Sequence, residues 1–362
     1  MKITKPTLLL DADRCRNNIA RMSAKTRQLG LTLRPHFKTH QSHEIGRWFR
    51  AEGVDRITVS SLTMAEYFAT DGWDDITVAF PVNVLEEAPI NRLAEQIRLN
   101  LLVESVDSVR DLDSLLHNPV GIWIKIDVGY HRTGIDSEDT DQISRVIAAI
   151  ESSSSLCLEG LLTHAGHSYD ARSATEILRV HEDSIARITR LRRHLAERHS
   201  DLLVSVGDTP TCSVAEDFTG VDEIRPGNYV FYDVSQWHIG SCSPDQIAVA
   251  MACPVVAIHP ERNEIVLYGG GVHFSKDRAT LDDNTVHFGL VAEPRGSSWT
   301  LSSHSAPVRS LSQEHGVVQA DSSFLSQVVV GDIVKVLPVH SCMTANLMGA
   351  YTTLEGEVIS RL

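Results

Sequence analysis

The chain lacks any apolar run near the roughly 18 residues that a membrane helix needs. Leu8-Leu9-Leu10 is stopped at once by Asp11, so the basic opening Met1-Lys2-Ile3-Thr4-Lys5-Pro6 does not read as a signal peptide. Cysteine pairs are missing too. The six cysteines are scattered with no C-x-x-C among them, which predicts a reducing, cytoplasmic setting. Positive charge is scarce: 33 Lys and Arg against 47 Asp and Glu leave a net charge of −14. That argues against a nucleic-acid partner, which needs a basic face. No repeat or low-complexity segment occurs, and the serine run at 152–155 reads as an ordinary loop.

What is present is a 362-residue chain, 42% hydrophobic and 22% charged, of ordinary globular composition. Its length suits two domains, or one barrel with an appendage. Strand candidates lie at 33–37, 56–61, 75–80, 99–103, 121–127, 158–164, 202–206 and 228–232. They are rich in Val, Ile and Leu with little alternation, as strands covered on both faces are. Helical patterns intervene, most clearly over 171–198, where Ala174, Ile177, Leu178, Ile185, Ile188, Leu191 and Leu195 recur at helical spacing. Eight strands with helices between them predict an α/β fold, a (β/α)8 barrel, with an open doubly wound sheet as the alternative. Beyond about residue 240 the segments 247–258, 264–268, 286–291, 316–319 and 332–339 predict a separate all-β domain. The expected division is 12–240 for the barrel and 241–362 for the β domain, with the strand in 1–11 joining the latter.

Barrel active sites sit where the strands end, and the unusual polar residues fall there. Lys38 follows the first strand, in Arg34-Pro35-His36-Phe37-Lys38-Thr39-His40. Arg132 follows the fifth, His164 ends the sixth with Tyr169 just beyond, and Gly207-Asp208-Thr209 follows the seventh. Tyr229 and Tyr232 fall in the eighth candidate strand. Gly207, Thr209 and Gly227 supply backbone N–H groups and a hydroxyl in the loops where many barrels bind phosphate, before a short helix start at 211–217. A phosphate site beside a barrel-mouth lysine suggests pyridoxal phosphate, whose aldehyde needs an amine. Near the other end, His340-Ser341-Cys342 puts an imidazole and a thiol on one face if the segment is extended. A soft thiolate with an imidazole suits zinc.

These stretches, together with His164-Ala165-Gly166-His167-Ser168-Tyr169, Gly207-Asp208-Thr209-Pro210-Thr211-Cys212-Ser213, Arg225-Pro226-Gly227-Asn228-Tyr229-Val230-Phe231-Tyr232-Asp233, Ser275-Lys276-Asp277 and Leu311-Ser312-Gln313-Glu314-His315-Gly316, resemble one family. It is the fold-type III pyridoxal-phosphate enzymes with an alanine-racemase-like barrel, and within it the metal-dependent branch of D-serine dehydratase and D-threonine aldolase. The resemblance runs nearly the whole chain in order. It implies that Lys38 carries the cofactor as a Schiff base and removes the α-proton, and that Arg132 bonds the cofactor's phenolic oxygen. His164, Tyr169, Gly207, Thr209 and Tyr229 are then cofactor-binding candidates. His340 and Cys342 match the family's zinc ligands, with manganese or cobalt also compatible. A homodimer is implied as well.

In the dehydratases of that branch the second ligand is a cysteine, in the aldolases usually an aspartate. Cys342 therefore points to dehydration of a small D-3-hydroxy amino acid, first D-serine to pyruvate and ammonia. D-threonine aldolase and D-threo-3-hydroxyaspartate dehydratase are the alternatives, and a non-enzymatic pyridoxal-phosphate carrier is the alternative of a different class. Each residue also has a plainer reading. Lys38 could be a solvated lysine, Cys342 a buried inert thiol, Arg132 a partner of Asp127 or Asp136, and the tyrosines packed aromatics. His164 could be a packed, hydrogen-bonded histidine. Gly269-Gly270-Gly271 lacks the helix and acidic residue of a dinucleotide site and reads as a turn. The pairs Asp74-Asp75 and Asp282-Asp283 read as solvated loop charges.

Overall fold

Runs of Val, Ile and Leu without alternation become parallel strands in the computed structural model, which describes residues 2–281, 283–302 and 306–362. The chain divides into two units, Arg21–Gly227 and Met1–Ala20 with Asn228–Leu362. The boundaries expected from sequence, after residues 11 and 240, thus differ from the division at 20/21 and 227/228.

The first unit is an α/β, barrel-like domain. Eight parallel strands, Thr32–Leu33, Ile57–Val59, Asp75–Pro81, Arg98–Val103, Val120–Asp127, Leu156–Thr163, Leu203–Val206 and Glu223–Ile224, lie each beside the next, and Thr32–Leu33 lies beside Glu223–Ile224. Beyond Leu33 the chain bridges to the second strand at His36 and Thr58. There Phe37 N–H donates to Thr58 O at 2.8 Å and Thr58 N–H to Pro35 O at 2.9 Å. Val120–Asp127 is buried along all but its last residue, as a strand covered on both faces must be. The helices between strands start at caps: Ser61, Ser105, Asp139 and Ser173 each accept the N–H three residues on. Each such cap is worth about 1 kcal/mol. The longest helix, Ala174–Leu195, buries Ile177, Ile188, Leu191 and Leu195.

Two expectations need correction here. Residues 228–232 are not the eighth strand: Glu223–Ile224 takes that place, and Asn228–Val230 is a turn of 3-10 helix. Pro226 has no N–H for a ladder, and Tyr232 has a φ of 49° that no strand residue adopts. Asp75 is not a solvated loop charge either. It opens the Asp75–Pro81 strand and holds Arg34 Nη1 at 2.6 Å, while Glu223 holds Arg34 Nε at 2.6 Å. Asp283 accepts the Thr285 N–H at 2.8 Å, and Asp282 lies outside the described residues.

The second unit is β-rich. Its strands run in the order Ser298–Leu301, Gly289–Arg295, Ile333–Pro338, Val249–His259, Thr7–Leu10, Ala350–Thr353 and Val358–Ser360. Thr7–Leu10 pairs antiparallel with Val249–His259 and parallel with Ala350–Thr353. A register shift between Val255 and Ala257 bends the long strand, so its far half pairs with Glu264–Tyr268, which continues to His315–Gln319 and Val308–Leu311. Leu8, Leu9, Leu10, Met251, Val336, Trp299 and Tyr351 fill the core. Gly271, the last residue of the run read as a turn, opens a short helix, Gly271–Phe274, and Ser341–Met348 is a helix that sequence periodicity did not reveal. None of the six cysteines forms a disulfide. Among the described residues no helix is long and apolar enough to cross a membrane.

Candidate active site

In the barrel-like unit the turn that follows the first strand points two neighbours in opposite directions. Phe37 is buried against Phe49 and Phe68, each at a ring separation of 4.9 Å, and Trp73 at 5.2 Å. Lys38, the next residue, is exposed. Gln41 Nε2 donates to the Lys38 carbonyl at 3.0 Å, and Gln41 itself has a φ of 45°, which fixes the turn after the lysine.

Around Lys38 gather two imidazoles and three further cations. Burial, then the charges of Lys38 and Arg225, push His36 well below its ordinary pKa. Burial, then Lys38, Lys125 and Arg132, do the same to His164. Both rings are therefore neutral at pH 7. His164 Nδ1 donates to Gly207 O at 2.5 Å, which leaves Nε2 as the acceptor. Among the described residues buried Lys125 reaches one backbone carbonyl, Ile126 O at 3.1 Å, and burial and the nearby arginines lower it to about 7. Arg225, also buried, donates to Ser205 Oγ at 2.7 Å and to Thr163 O, and burial brings it down to about 10. The nearby carboxylates are already engaged. Asp127 accepts the N–H groups of Gly129, Tyr130 and His131, and Asp208 accepts from Thr211 and Ser168. In a chain of net charge −14, this is a local gathering of cations suited to an anion.

The loop after the seventh strand meets that charge. His164 holds the Gly207 carbonyl, and Tyr169 Oη accepts the Thr209 N–H at 3.2 Å, so four sequence-predicted residues are joined by two hydrogen bonds. Gly207 and Gly227 are close approaches: a Cβ on Gly227 would lie 2.9 Å from His36 O, and one on Gly207 3.0 Å from Arg225 Cβ. Thr209 Oγ1 is buried and has no hydrogen-bond partner among the described residues. A buried, unpaired hydroxyl beside close-packed glycines, lined by cations, fits a phosphate. The residues present therefore fit pyridoxal phosphate. Arg132 is exposed, its guanidinium 5.0 Å over the Tyr130 ring rather than on Asp127 or Asp136. Tyr229 is fully buried in the other unit, away from the strand that sequence assigned to it.

In the β-rich unit His340 and Cys342 are brought together, but not by strand alternation. His340 is the extended residue before the Ser341–Met348 helix, and Cys342 lies in its first turn. Burial works to lower the His340 pKa, and the Cys342 thiolate with Asp233 overcomes it and raises that pKa well above the ordinary value. Among the described residues no group of three or more His, Cys, Asp or Glu side chains is arranged to hold a metal. Two donors of the right softness remain, which suits a catalytic rather than a closed structural site.

Sequence reading passed over His36, Lys125, Arg225, Asn228 and Asp233. Four of these stand in the motifs quoted above, and Lys125 in the candidate strand 121–127, yet no spacing says which of them turn inward.

A parallel-strand barrel whose cations and unpaired hydroxyl gather at the strand ends, followed by a β-rich unit, defines a class of phosphate-cofactor enzymes. The family model "Alanine racemase, N-terminal domain" matches residues 10–234, and the "Putative serine dehydratase domain" model matches residues 248–354. The chain therefore belongs to the fold-type III, alanine-racemase-like pyridoxal-phosphate enzymes, and its activity is of the lyase type. It is 30% identical to the D-serine dehydratase of Dictyostelium discoideum, over 98% of this chain and 94% of that one. The D-threo-3-hydroxyaspartate dehydratase from Delftia sp. HT23 superposes with a TM-score of 0.92 at 28% identity, covering 100% of this chain and 98% of that one. The D-threonine aldolase from Filomicrobium marinum, at 19% identity, TM-score 0.82 and coverage of 99% and 96%, shares the fold.

Proposed function

We propose that this chain is a metal-assisted, pyridoxal-phosphate-dependent dehydratase of small 3-hydroxy D-amino acids, with D-threo-3-hydroxyaspartate its best substrate and D-serine the second. The observation that carries the reading is the His340–Cys342 pair, an imidazole and a cysteine sulfur in hydrogen-bond contact, in a chain that superposes end to end on a D-threo-3-hydroxyaspartate dehydratase. Solved structures of that dehydratase include a cysteine-to-alanine mutant in the metal-free form and a histidine-to-alanine mutant. Those two positions lie two apart, as His340 and Cys342 do here. The sequence had pointed first to D-serine, and the 30% identity to a D-serine dehydratase keeps that substrate in play.

When bound, pyridoxal phosphate supplies an electron sink for the substrate α-carbon, and a divalent ion such as zinc supplies a Lewis acid for the β-hydroxyl. The chain's residues do the rest. The Lys38 amine binds the cofactor aldehyde and afterwards accepts the α-proton at Nζ. Thr209 Oγ1 with the backbone at Gly207 and Gly227 holds the phosphate, and His164 and Tyr169 keep that loop in place. Arg132 bonds the phenolic oxygen. His340 and Cys342 hold the metal and leave positions open for water and substrate. Loss of water from the substrate, followed by hydrolysis of the resulting imine, which takes up one water and releases ammonia, would give oxaloacetate from 3-hydroxyaspartate, or pyruvate from D-serine. A homodimer in the cytoplasm completes the proposal.

The test offers D-threo-3-hydroxyaspartate, D-serine and D-threonine to the holoenzyme with and without a chelator. The expected result is a keto acid and ammonia, with the highest kcat/KM on hydroxyaspartate. Chelation or Cys342→Ala should lower the rate by about a hundredfold, since a Lewis acid is worth several kcal/mol. Glycine and acetaldehyde from D-threonine as the dominant products would overturn the dehydratase reading, and a chelator-insensitive rate would overturn the metal.

A further inference from the structure

The residue that holds the His340–Cys342 pair in shape is one that sequence did not single out. Asp233 is fully buried in the β-rich unit, at the start of the Val234–His238 helix. Its Oδ1 accepts the Gln236 N–H at 2.9 Å, a helix cap. Its Oδ2 accepts from Asn228 Nδ2 at 2.7 Å, Ser341 N–H at 3.0 Å, Ser341 Oγ at 3.2 Å and His340 Nδ1 at 3.3 Å. Asn228, also buried, carries a further Nδ2 contact to Cys342 Sγ at 3.4 Å. One carboxylate and one amide thus touch both candidate ligands.

We propose that Asp233, with Asn228, is the positioning pair of the metal site: Asp233 fixes the His340 tautomer, and Asn228 orients the Cys342 sulfur. This rests on the metal reading given above. With Nδ1 donating to a carboxylate, the imidazole lone pair is confined to Nε2, the nitrogen left for a metal, and the carboxylate raises its basicity. The amide cannot be turned round without setting its oxygen against Asp233 Oδ2, so its nitrogen faces the carboxylate, Ser341 Oγ at 3.0 Å and the sulfur. Charge gives a second reason. A dication with one thiolate keeps one positive charge, and a buried carboxylate beside the histidine cancels it. The ordinary alternative is that Asp233 only caps its helix. A cap needs Oδ1 alone, and Asp233 Oδ2 faces four donors from elsewhere in the unit.

Asp233→Asn separates the two roles, because asparagine is as good a cap as aspartate but would present N–H where Oδ2 accepts. Cobalt(II) is the probe, read by its thiolate charge-transfer absorption and by competition with a chelator, on the holoenzyme of parent and variant. The parent is expected to show the band and Cys342→Ala to lose it. Asp233→Asn should keep the parent's circular dichroism and bind cobalt about 10- to 100-fold more weakly, the usual loss when such a partner is removed. Asp233→Ser, which also caps, should behave alike and serves if the asparagine variant does not fold. A parent that shows no band overturns the metal reading itself. A parent that binds, beside folded variants that bind equally well with the same spectrum, overturns the role of Asp233 alone.

Discussion

The two ends of the barrel-like unit both bury arginine, and they treat its charge in opposite ways. Where the strands begin, Arg34 meets two carboxylates, Glu223 and Asp75, each at 2.6 Å, and Asn100 Nδ2 also donates to Asp75. Where the strands finish, Arg225 and Lys125 donate to a hydroxyl and to carbonyls, and the neighbouring imidazoles of His36 and His164 stay neutral. At the first end the arginine has carboxylate partners of its own. At the second, the hydrogen-bond acceptors of Arg225 and Lys125 among the described residues are neutral, an arrangement suited to an anion. Polar residues at the strand starts of such a barrel hold the fold, and those at the strand ends hold a ligand.

Substitutions at each end should therefore separate stability from function. Lys38→Ala is expected to lower turnover by about a thousandfold and to abolish the visible cofactor band that borohydride reduction removes from the parent. Unfolding of the cofactor-free protein should shift by less than about 0.5 kcal/mol, because the side chain is exposed. A band that survives in the variant would remove Lys38 from the cofactor site. Glu223→Ala should do the reverse. It leaves Arg34 short of a partner at a buried position and should cost about 3–5 kcal/mol of stability, measured by denaturant unfolding. Should stability hold while cofactor affinity falls, the two ends would not be distinct. Thr209→Val is the mildest test. Its hydroxyl has no internal partner among the described residues, so stability should stay level. Cofactor affinity, read by titrating the visible band, should drop by about tenfold through one lost hydrogen bond to a charged group. Unchanged affinity would move the phosphate elsewhere.

Much of this was legible in the chain. Apolar runs located six of the eight strands and met the first, expected over 33–37, at Leu33 alone, because burial on both faces leaves a local signal that needs no partner to be seen. The eighth was misplaced by a few residues: Glu223–Ile224 is only two residues long and pairs on both sides, whereas Val230-Phe231-Tyr232 is more apolar but turns away after Pro226. Lys38, His164, Tyr169, Gly207 and Thr209 were legible because they follow strands, and strand ends meet at one face of a barrel. Asp75 was misread because its partner Arg34 lies 41 positions away, and nothing local distinguishes a paired carboxylate from a solvated one.

The sequence by itself determined the class of fold, the amine at the end of the first strand and the imidazole and thiol two residues apart. Those are properties of residue type and short spacing, set along one stretch of chain. Tertiary structure alone decided which cations are compensated and which are not, that His340 and Cys342 meet across a strand-to-helix turn, and that Asp233 lies between them and Asn228. Asp233 and His340 are separated by 107 positions. A hydrogen bond between such residues is written nowhere in local pattern; it exists only once the backbone has closed the distance.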